Sequence, residues 1–414
     1  MTSPAAGPAR LELQLRAMRP LIYRTTPQRS AAAVTVGPLD VWDDEHVARL
    51  VQQHTDHVLH LVAPTAEVQH SEAAGSTTRA WLDDAVLTQV SAPALFAWTW
   101  EVAGRQVQGV AGAVPLPLAD KTVPHERVRA ATVDLRERQL DHARVQAEPI
   151  LLLHDGDPLL SAALVERIGS GQPLVDVDAA GERHRVWPIT DTDDQREIRN
   201  RLSAGAAPVV ADGHHRVAAL DRLAQRGWVD GMVLIVDTAT SDLSLTSVHR
   251  VVPGLRRATV VTAGAQLVEL PEGTEAAWLA SPGPDHLRWV LADESTLVGL
   301  DMSLQAARAT NPAAARCSTP VALDACHLHS HLFDAWRVDE RRVDYVHDWQ
   351  EARRRAGARN GLAVRIAAPQ LSRIIDVARD GHLLPPKATS IGPKPRVGML
   401  MLPAPQGGIG GSIG

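Results

Sequence analysis

The stretch "PVVADGHHRVAALDRLAQRGW" (208–228) carries the pattern that decides the fold of the middle of the chain. Its apolar first residues, 208–211, predict a strand, and the Asp-Gly pair that follows predicts a turn. The apolar residues that then recur at helical spacing are Val217, Leu220 and Leu223. Gly227 supplies a stop, so the stretch predicts a strand, a turn and a helix over 215–226.

Three residues of the turn are suited to holding an anion. The first backbone N–H groups of a helix lack partners within the helix, and the helix dipole is positive at this end. We expect Asp212 to cap the helix, Gly213 to let a ligand approach the backbone, and Arg216 to bind a phosphate or a carboxylate. The turn therefore predicts an anion-binding site.

The two adjacent histidines of the turn support the same interpretation. Neighbouring helical positions point about 100° apart, so His214 and His215 cannot both face one apolar core. Cationic groups at a helix N-terminus also oppose the dipole unless an anion lies there. The structural alternative is an ordinary Asp-capped turn, which accounts for Asp212 and Gly213 but not for the crowding of His, His and Arg.

Length and charge limit the class of protein. The chain has 414 residues, a formal net charge of −6 and a pI near 6.3. This length allows one large or two medium domains with a substantial core. The acidic balance disfavours nucleic-acid binding, in which a basic face supplies most of the affinity. With only Cys317 and Cys326, we predict neither a disulfide framework nor a cysteine-rich zinc site.

The sequence shows no feature of export or membrane insertion. The amino-terminal residues lack the apolar core of a signal peptide, and no stretch reaches the roughly 18 apolar residues of a membrane span. We therefore expect a soluble, cytoplasmic protein with no membrane partner. The oligomeric state is left open.

Short apolar runs alternate with longer helical patterns along the chain. The predicted strands are 57–63, 107–116, 149–154, 208–211, 231–236 and 259–263, and the predicted helices are 44–53, 127–143, 193–204, 215–226, 271–280 and 368–379. This alternation predicts an α/β or α+β fold of mixed sheets with flanking helices.

Composition divides the chain into three expected regions. Residues 1–255 form an amino-terminal and core region, 256–400 form a carboxy-terminal α/β region, and 401–414 form a flexible Gly-rich tail. The polar segment 64–80 is predicted to be a loop.

"PHER" (124–127) is a candidate source of catalytic groups. It offers Glu126 as a general base or metal ligand, beside His125 and Arg127. A Pro followed by Glu also suits the first turn of an amphipathic helix, which is the structural alternative. Asp212 and Asp40 are the other candidates for the base, and the residues do not choose among the three.

"PPKATSIGPKP" (385–395) cannot form a regular helix because of its prolines. It places Lys387, Thr389 and Lys394 on a rigid loop, where they suit phosphate binding. Surface lysines on a loop are also common, which is the alternative. Arg250 follows an apparent strand and is interpreted either as a second anion clamp or as a surface arginine.

Two further segments resemble metal sites at first sight. "HDGDP" (154–158) has two acids that suit Mg²⁺, but the same letters are typical of a turn, which we favour. "CHLHSH" (326–331) would place His327 and His331 on one helix face as two metal ligands. No Glu accompanies them in the zinc-protease pattern, so we interpret the segment as structural.

A series of motifs in a fixed order resembles the bacterial and archaeal family known as domain of unknown function 1015. Besides DGHHR, the segments that carry the resemblance are "VGPLDVWDDE" (36–45), "APALFAWTWEVAG" (92–104), "VPHERV" (123–128), "VWPITD" (186–191), "VHRVV" (248–252), "DYVHD" (344–348) and "LPPKATSIGPKPRVG" (384–398). Leu39, Val128 and Val217 stand where the family usually has Tyr, Thr and Tyr.

The DGHHR turn is also similar to the phosphate-binding turn of the ParB/sulfiredoxin superfamily, which includes nucleotide-dependent free serine kinases and CTP-hydrolysing partition proteins. This resemblance implies a ParB/sulfiredoxin-like strand–turn–helix core around residues 205–227, with nucleotide phosphates at the helix start. Sulfiredoxin-like reductase chemistry would need a Cys beside the Arg, and His214 and His215 occupy those places.

Together these features predict a nucleotide-dependent phosphotransferase that acts on a small hydroxylated metabolite, with ATP or ADP and Mg²⁺. The expected nucleotide-binding residues are Gly213, Arg216, Arg250, Lys387, Thr389 and Lys394, and the expected catalytic residues are Glu126, Asp212, His214 and His215. The DGHHR, PHER and lysine-rich motifs are expected to converge on one cleft. The alternatives are a metal-dependent hydrolase and a nucleotide-binding regulatory module of the ParB type.

Overall fold

A computed structural model gives the fold of the chain. It describes residues 13–39, 44–62, 74–168, 171–260, 264–280, 282, 285–294, 296–310, 324–385 and 387–405. The chain divides into two compact units. Unit 1 consists of Met1–Pro124, Val128–Leu243 and Pro393–Gly414, and unit 2 consists of His125–Arg127 and Ser244–Gly392.

Unit 1 is built on a seven-stranded sheet of order β7-β8-β3-β4-β10-β6-β9. Two small two-stranded sheets, β1-β2 and β5-β19, accompany it. The strands are β1 Leu21–Tyr23, β2 Leu87–Gln89, β3 Leu95–Val102, β4 Arg105–Pro115, β5 Val145–Gln146, β6 Ile150–His154, β7 Val175–Ala179, β8 Glu182–Ile189, β9 Val209–Asp212, β10 Asp230–Asp237 and β19 Leu402–Pro403.

The centre of this sheet follows from its apolar sequence. Residues 231–237 of β10 are all buried, as expected for a strand covered on both faces. This strand pairs in parallel with β6 and antiparallel with β4. β9 lies at the edge of the sheet, antiparallel to β6, so the strand that leads into the DGHHR turn is held by one neighbouring strand of the sheet.

The helices of unit 1 pack in part against the seven-stranded sheet and in part beside the small sheet β1-β2. They are α1 Ala31–Val34, α2 Asp44–Gln53, α3 Leu59–Val62, α4 Ala74–Asp83, α5 Ala130–Ala143, α6 Pro158–Ile168, α7 Thr192–Ala204 and α8 His214–Ala224. The apolar face of α8, with Leu220 and Leu223 fully buried, packs into the same core as Ile150 and Val233 of the sheet. The strand–turn–helix predicted around residues 205–227 is therefore confirmed.

Unit 2 has a six-stranded sheet of order β13-β15-β14-β17-β12-β16 and a two-stranded sheet β11-β18. Its strands are β11 Ser244–Thr246, β12 His249–Val252, β13 Gln266–Glu269, β14 His286–Ala292, β15 Leu297–Ser303, β16 Asp344–Val346, β17 Leu362–Arg365 and β18 Ser390–Gly392. Its helices are α9 Glu275–Ala280, α10 Leu304–Thr310, α11 Asp324–His327, α12 Trp349–Ala358 and α13 Leu371–Arg379, with a π-helical segment Leu328–Phe333 and short 3₁₀ turns at Arg257–Thr259 and Glu340–Arg342.

The chain passes from unit 1 to unit 2 ahead of the expected division at residue 255. The reason is that β12 pairs with β16 and β17, both of which lie in the carboxy-terminal part of the chain. The mixed sheets and flanking helices confirm the α/β or α+β fold class.

Most predicted elements are present, with shifted ends. The predicted helix 44–53 is α2, and the predicted helices 127–143, 193–204, 215–226, 271–280 and 368–379 correspond to α5, α7, α8, α9 and α13. The predicted strands 107–116, 149–154, 208–211 and 231–236 correspond to β4, β6, β9 and β10.

The strand predicted at 57–63 is wrong. Residues 59–62 form helix α3, in which the His57 ring Nδ1 accepts the N–H of Leu59 at 3.2 Å and the His60 N–H reaches the His57 carbonyl at 3.0 Å. An apolar run of this length fits either period, and the local capping bond selects the helix.

Three other predictions need correction. In the predicted loop 64–80, residues 74–80 belong to helix α4, and 64–73 lie outside the described residues. In the predicted strand 259–263, Thr259 ends a 3₁₀ turn, and 261–263 lie outside the described residues. In the predicted flexible tail, β19 pairs with β5, so order extends to at least residue 403, and 406–414 lie outside the described residues.

Candidate functional site

The DGHHR turn, residues 212–216, joins the edge strand β9 to helix α8. The residue before the first helical residue is Gly213, with a left-handed φ of 99°, so the residue at the cap position has no side chain with which to cap the helix. The prediction that Asp212 is the cap is therefore wrong, because Asp212 is the last residue of β9. A Cβ on Gly213 would lie 2.9 Å from Cδ1 of Ile150, so only glycine fits without a shift.

The Arg216 guanidinium is engaged inside unit 1. Its Nη1 donates to the carbonyl oxygens of Glu148 at 3.0 Å and Pro149 at 2.9 Å. Its Nη2 lies 2.5 Å from Oδ2 of Asp212 and 3.1 Å from Oε1 of Glu148. The Arg216 side chain is only 9% exposed, and it joins the turn to Glu148 and Pro149, the two residues before β6. These contacts suit a role for Arg216 in stabilising the turn better than the predicted role of binding a phosphate.

Lys394 reaches the same turn from the carboxy-terminal part of unit 1. Its Nζ lies 2.7 Å from Oδ1 of Asp212. Each oxygen of the Asp212 carboxylate thus contacts a different cation, Lys394 or Arg216. The structure therefore brings Lys394 to Asp212 and Arg216, two predicted site residues that lie far from it in sequence.

The two histidines of the turn have different environments. His214 is buried, with 8% of its surface exposed, on the first turn of α8. The His215 ring Nε2 accepts the N–H of Arg129 at 3.0 Å, and Arg129 is the residue before the first helical residue of α5. Because Nε2 accepts this bond, it carries no proton, and His215 caps the neighbouring helix.

Arg136 and Glu148 also lie near the charged residues of the DGHHR turn, although no sequence pattern identified them as site residues. Both line a small cavity of about 30 Å³ together with Arg216. Burial lowers the pKa of Arg136, while the Glu148 carboxylate raises it. The cluster around the turn thus contains three cations, Arg136, Arg216 and Lys394, and two carboxylates.

Unit 2 assembles the other predicted motifs. The segment His125–Arg127 is extended, and its backbone pairs with Leu384: the Leu384 N–H donates to the His125 carbonyl at 2.8 Å, and the Arg127 N–H donates to the Leu384 carbonyl at 3.1 Å. The His125 ring Nε2 lies 2.8 Å from the Thr389 hydroxyl. The helical alternative for PHER is therefore wrong at these residues, and Thr389 holds His125.

Arg250 is fully buried in unit 2, so its interpretation as a surface arginine is wrong. Its Nη2 donates to the Lys387 carbonyl at 3.1 Å, its Nη1 donates to the Val248 carbonyl, and its Nε donates to Nε2 of His329 at 3.3 Å. These bonds tie β12 to the lysine-rich loop.

The electrostatics around Arg250 are those of a desolvated cation. Burial lowers the pKa of Arg250 to about 10, and the nearby acidic groups Tyr345, Glu126 and Glu340 raise it. The Tyr345 ring also lies under the guanidinium, with its centroid 5.2 Å away. Glu126 is itself buried, at 9% exposure.

Lys387 lies on the surface of unit 2. It has a left-handed φ of 58°, and its carbonyl accepts a bond from Arg250. Within the described residues its ammonium group forms no ion pair or hydrogen bond, so it is open to an anion. Its predicted role in nucleotide binding stays a prediction.

The remaining candidates are placed as follows. Asp40 lies outside the described residues. "HDGDP" is a turn, as predicted: Gly156 has a φ of 91°, and Asp157 accepts the N–H of Leu159 at the start of α6. The histidines of "CHLHSH" are buried in helical structure. Among the residues that the structure describes, no group of three or more His, Cys, Asp or Glu side chains could hold a metal ion.

The structure therefore assembles two sets of predicted residues, one in each unit. Asp212, Arg216 and Lys394 meet in unit 1, whereas His125, Thr389, Arg250 and Lys387 are linked in unit 2. The convergence of all motifs on one cleft stays a prediction.

Unit 1 is thus an α/β unit with a candidate anion-binding turn, and the comparison with known families agrees with its motifs. A family model described as "Protein of unknown function (DUF1015)" matches residues 17–304. The chain belongs to this family.

Solved structures show a weaker likeness. A free serine kinase in complex with AMP is similar at 14% identity and a TM-score of 0.39, over 71% of this chain and 91% of the kinase. A conserved hypothetical protein from Pyrococcus furiosus is similar at 14% identity and a TM-score of 0.37, over 68% of this chain and 90% of that protein. SbnI from Staphylococcus aureus, truncated at its C-terminus, is similar at 11% identity and a TM-score of 0.37, over 68% and 82%.

No curated protein matches the chain. In the part of the chain that the structure describes, every helix is too short or too polar to cross a membrane.

Proposed function

We propose that the chain binds a nucleotide by its phosphates at the amino end of α8 and transfers a phosphoryl group to a small hydroxylated molecule. One observation carries the proposal: α8 begins at a left-handed glycine, and the ammonium group of Lys394 lies at the same turn. The geometry supports an anion, and the motif resemblance implies that this anion belongs to a nucleotide.

The amino end of α8 has the properties of a phosphate site. Its first backbone N–H groups have no partners within the helix, and the helix dipole adds positive potential. Gly213 supplies the left-handed φ from which the helix starts. Lys394 brings an ammonium group, which has three hydrogen-bond donors, to the same turn.

Arg216 has a different part in this proposal from the one its motif suggests. Its contacts with Asp212, Glu148 and Pro149 hold the turn in the shape that presents the helix end. Arg216 is therefore a positioning residue, and the positive charge offered to the ligand comes from Lys394 and the helix end.

Phosphoryl transfer depends on positioning and charge neutralisation more than on covalent chemistry by the protein. It also needs a proton acceptor for the substrate hydroxyl. Glu126, Asp212 and Asp40 are the predicted candidates, and both oxygens of Asp212 contact cations, Arg216 and Lys394. Mg²⁺ would neutralise the phosphate charge when bound, and its requirement is part of the test.

The test is calorimetric titration of the full-length chain with ATP, ADP and CTP, with and without Mg²⁺. We expect one nucleotide to bind, and Lys394→Ala to weaken its affinity by at least about tenfold. Lys121→Ala is the matched control, because Lys121 lies in unit 1 and bonds only the Pro117 carbonyl among the described contacts. Its affinity should equal that of the wild type.

Two results would overturn the proposal. The first is the absence of nucleotide binding by the wild type under every metal condition. The second is binding that Lys394→Ala leaves unchanged. Arg216→Ala is unsuited to this test, because it removes the guanidinium that joins Asp212 to Glu148 and so disturbs the turn itself.

A further inference from the structure

Unit 2 contains a cavity of about 750 Å³ that the proposed function does not use. This volume lies within the range of pockets that bind small organic ligands. Beside polar and charged groups, its wall includes five apolar side chains: Leu279, Leu304, Ile366, Ile374 and Leu384. Thr389, which bonds His125, also lines it, so the cavity borders a family motif.

A carboxyl group lies in the wall of the cavity. Asp324, the first residue of α11, is half-buried there, and the backbone N–H of Ala367 donates to its side chain. Burial raises the pKa of this carboxyl to about 7, since the charged form is poorly solvated. A cation placed beside Asp324 would restore its charged form.

A guanidinium lies in another part of the wall. Arg373 and Asp376 lie three residues apart on α13, so they share one face of the helix. In the described part of the chain, neither of these side chains forms an ion pair or a hydrogen bond. Arg373 therefore offers an unpaired cation to a ligand in the cavity.

The other charged groups that face the cavity are Asp285 and His286. His286 pairs with Asp301, which also binds Arg288 at 2.7 Å. Asp285 forms no side-chain ion pair with a described residue. The cavity thus has acidic groups that suit an ammonium, one available guanidinium that suits a carboxylate, and apolar side chains between them and elsewhere in its wall that suit an apolar ligand group.

We propose that this cavity binds the zwitterion of a short peptide with apolar side chains, with its ammonium group at Asp324 and its carboxylate at Arg373. A single amino acid has the same charges but fills only part of a cavity of this volume. This inference is independent of the proposed nucleotide site, since all its residues belong to unit 2.

The test uses the full-length chain and four probes: L-leucyl-L-leucine, its N-acetyl derivative, its C-terminal amide, and L-leucine. Calorimetry should detect binding of the dipeptide, and removal of either ligand charge should weaken it by at least about tenfold. L-leucine should bind more weakly than the dipeptide. If L-leucine binds as tightly, the proposed peptide is wrong and the ligand is a single amino acid.

Two variants assign the charges. Asp324→Asn should weaken dipeptide binding by at least about tenfold. Arg373→Ala should weaken binding of the dipeptide but not of its amide, because the amide has no carboxylate. Arg341→Ala is the control, since Arg341 is an exposed residue of unit 2 paired with Asp339, and it should bind as the wild type does.

The pH dependence of dipeptide binding distinguishes a direct contact of the ligand with Asp324 from a purely structural role of that residue. A bound ammonium lowers the pKa of Asp324, so binding at neutral pH should release a proton and tighten between about pH 6 and about pH 7.5. Asp324→Asn should abolish this pH dependence if Asp324 is its source. No dipeptide binding at millimolar concentration would overturn the proposal. Dipeptide binding by both variants as tight as that of the wild type would also overturn it.

Discussion

Arg216 and Arg250 are buried arginines in two motifs of the family, and the two units compensate their charges differently. In unit 1, Arg216 contacts two carboxylates, those of Asp212 and Glu148. In unit 2, Arg250 forms no ion pair with a described carboxylate, and its donors go to two backbone carbonyls and the His329 ring.

This difference shows what each arginine can do. A guanidinium that contacts two carboxylates is held in one place by charge, and it fixes the DGHHR turn. A guanidinium that contacts dipoles is poorly solvated, and burial lowers the pKa of Arg250 to about 10. In neither case is the guanidinium open to a phosphate, so an arginine in a motif is assigned to a ligand only after its partners are known.

The largest expected effect is that of Arg216→Met. It removes the buried cation that contacts both half-buried carboxylates, Asp212 and Glu148, and it also breaks the bonds to the Glu148 and Pro149 carbonyls, so the free energy of unfolding should fall by about 3–5 kcal/mol. Urea denaturation of the full-length chain measures this loss. The control is Arg222→Met on the same helix, where exposed pairs with Asp134 and Glu137 contribute little. Equal losses for both variants would contradict the account of Arg216.

Arg250→Met should cost less, about 1–3 kcal/mol. The variant loses hydrogen bonds to the Val248 and Lys387 carbonyls, but it also removes a charge that burial disfavours. The same urea experiment measures it. A loss greater than that of Arg216→Met would show that the comparison of the two arginines is wrong.

Acid should lower the free energy of unfolding through His249, the residue that precedes Arg250 in β12. Burial first, and then the charges of Arg365 and Arg250, lower the pKa of His249 to about 4 in the folded state. The unfolded chain has an ordinary histidine pKa near 6.5, so it binds more protons than the folded chain between these values. Above about pH 6.5 the group has no effect, and as pH falls from there to about 4 it costs about 1.4 kcal/mol per pH unit.

The measurement is the slope of unfolding free energy against pH for the wild type and His249→Gln. The variant should lose stability less steeply over this window, because glutamine does not titrate. Identical slopes would exclude His249 as a source of acid sensitivity.

The smallest expected effect distinguishes two glycines at the two ends of α8. Gly227 has a left-handed φ of 89° and open space at its Cβ position, so Gly227→Ala should cost about 1 kcal/mol of strain. Gly213→Ala adds contacts at 2.9 Å with Ile150 and 3.1 Å with Arg216, so it should cost about 1–3 kcal/mol. Thermal unfolding of both variants measures the difference, and a lower cost for Gly213→Ala would contradict the close packing of the turn.

The strand, turn and helix of the DGHHR region could be predicted because their signals are local. The apolar run, the Asp-Gly pair and the helical spacing all lie within 208–228. The prediction that Asp212 caps the helix failed, because the Asp212 carboxylate contacts Arg216 and Lys394, and Lys394 is far away in sequence. Local capping rules do not include such partners.

The same limit explains the other differences. The run at 57–63 fits either a strand or a helix. The hydrogen bond from the Leu59 N–H to the His57 ring favours the helix. Arg250 was open to two interpretations because sequence does not show burial, and the strands beside it come from distant segments. Arg136 and Glu148 carry no local pattern at all, so their place beside Arg216 follows only from the fold.

The central claim is that phosphates bind at the amino end of α8, and amide hydrogen exchange tests it most directly. The full-length chain would be compared with and without the nucleotide that calorimetry selects. The account predicts slower exchange in the segment that contains residues 212–217, and loss of this protection in Lys394→Ala. Nucleotide binding that leaves this segment unprotected, while slowing exchange elsewhere, would contradict it.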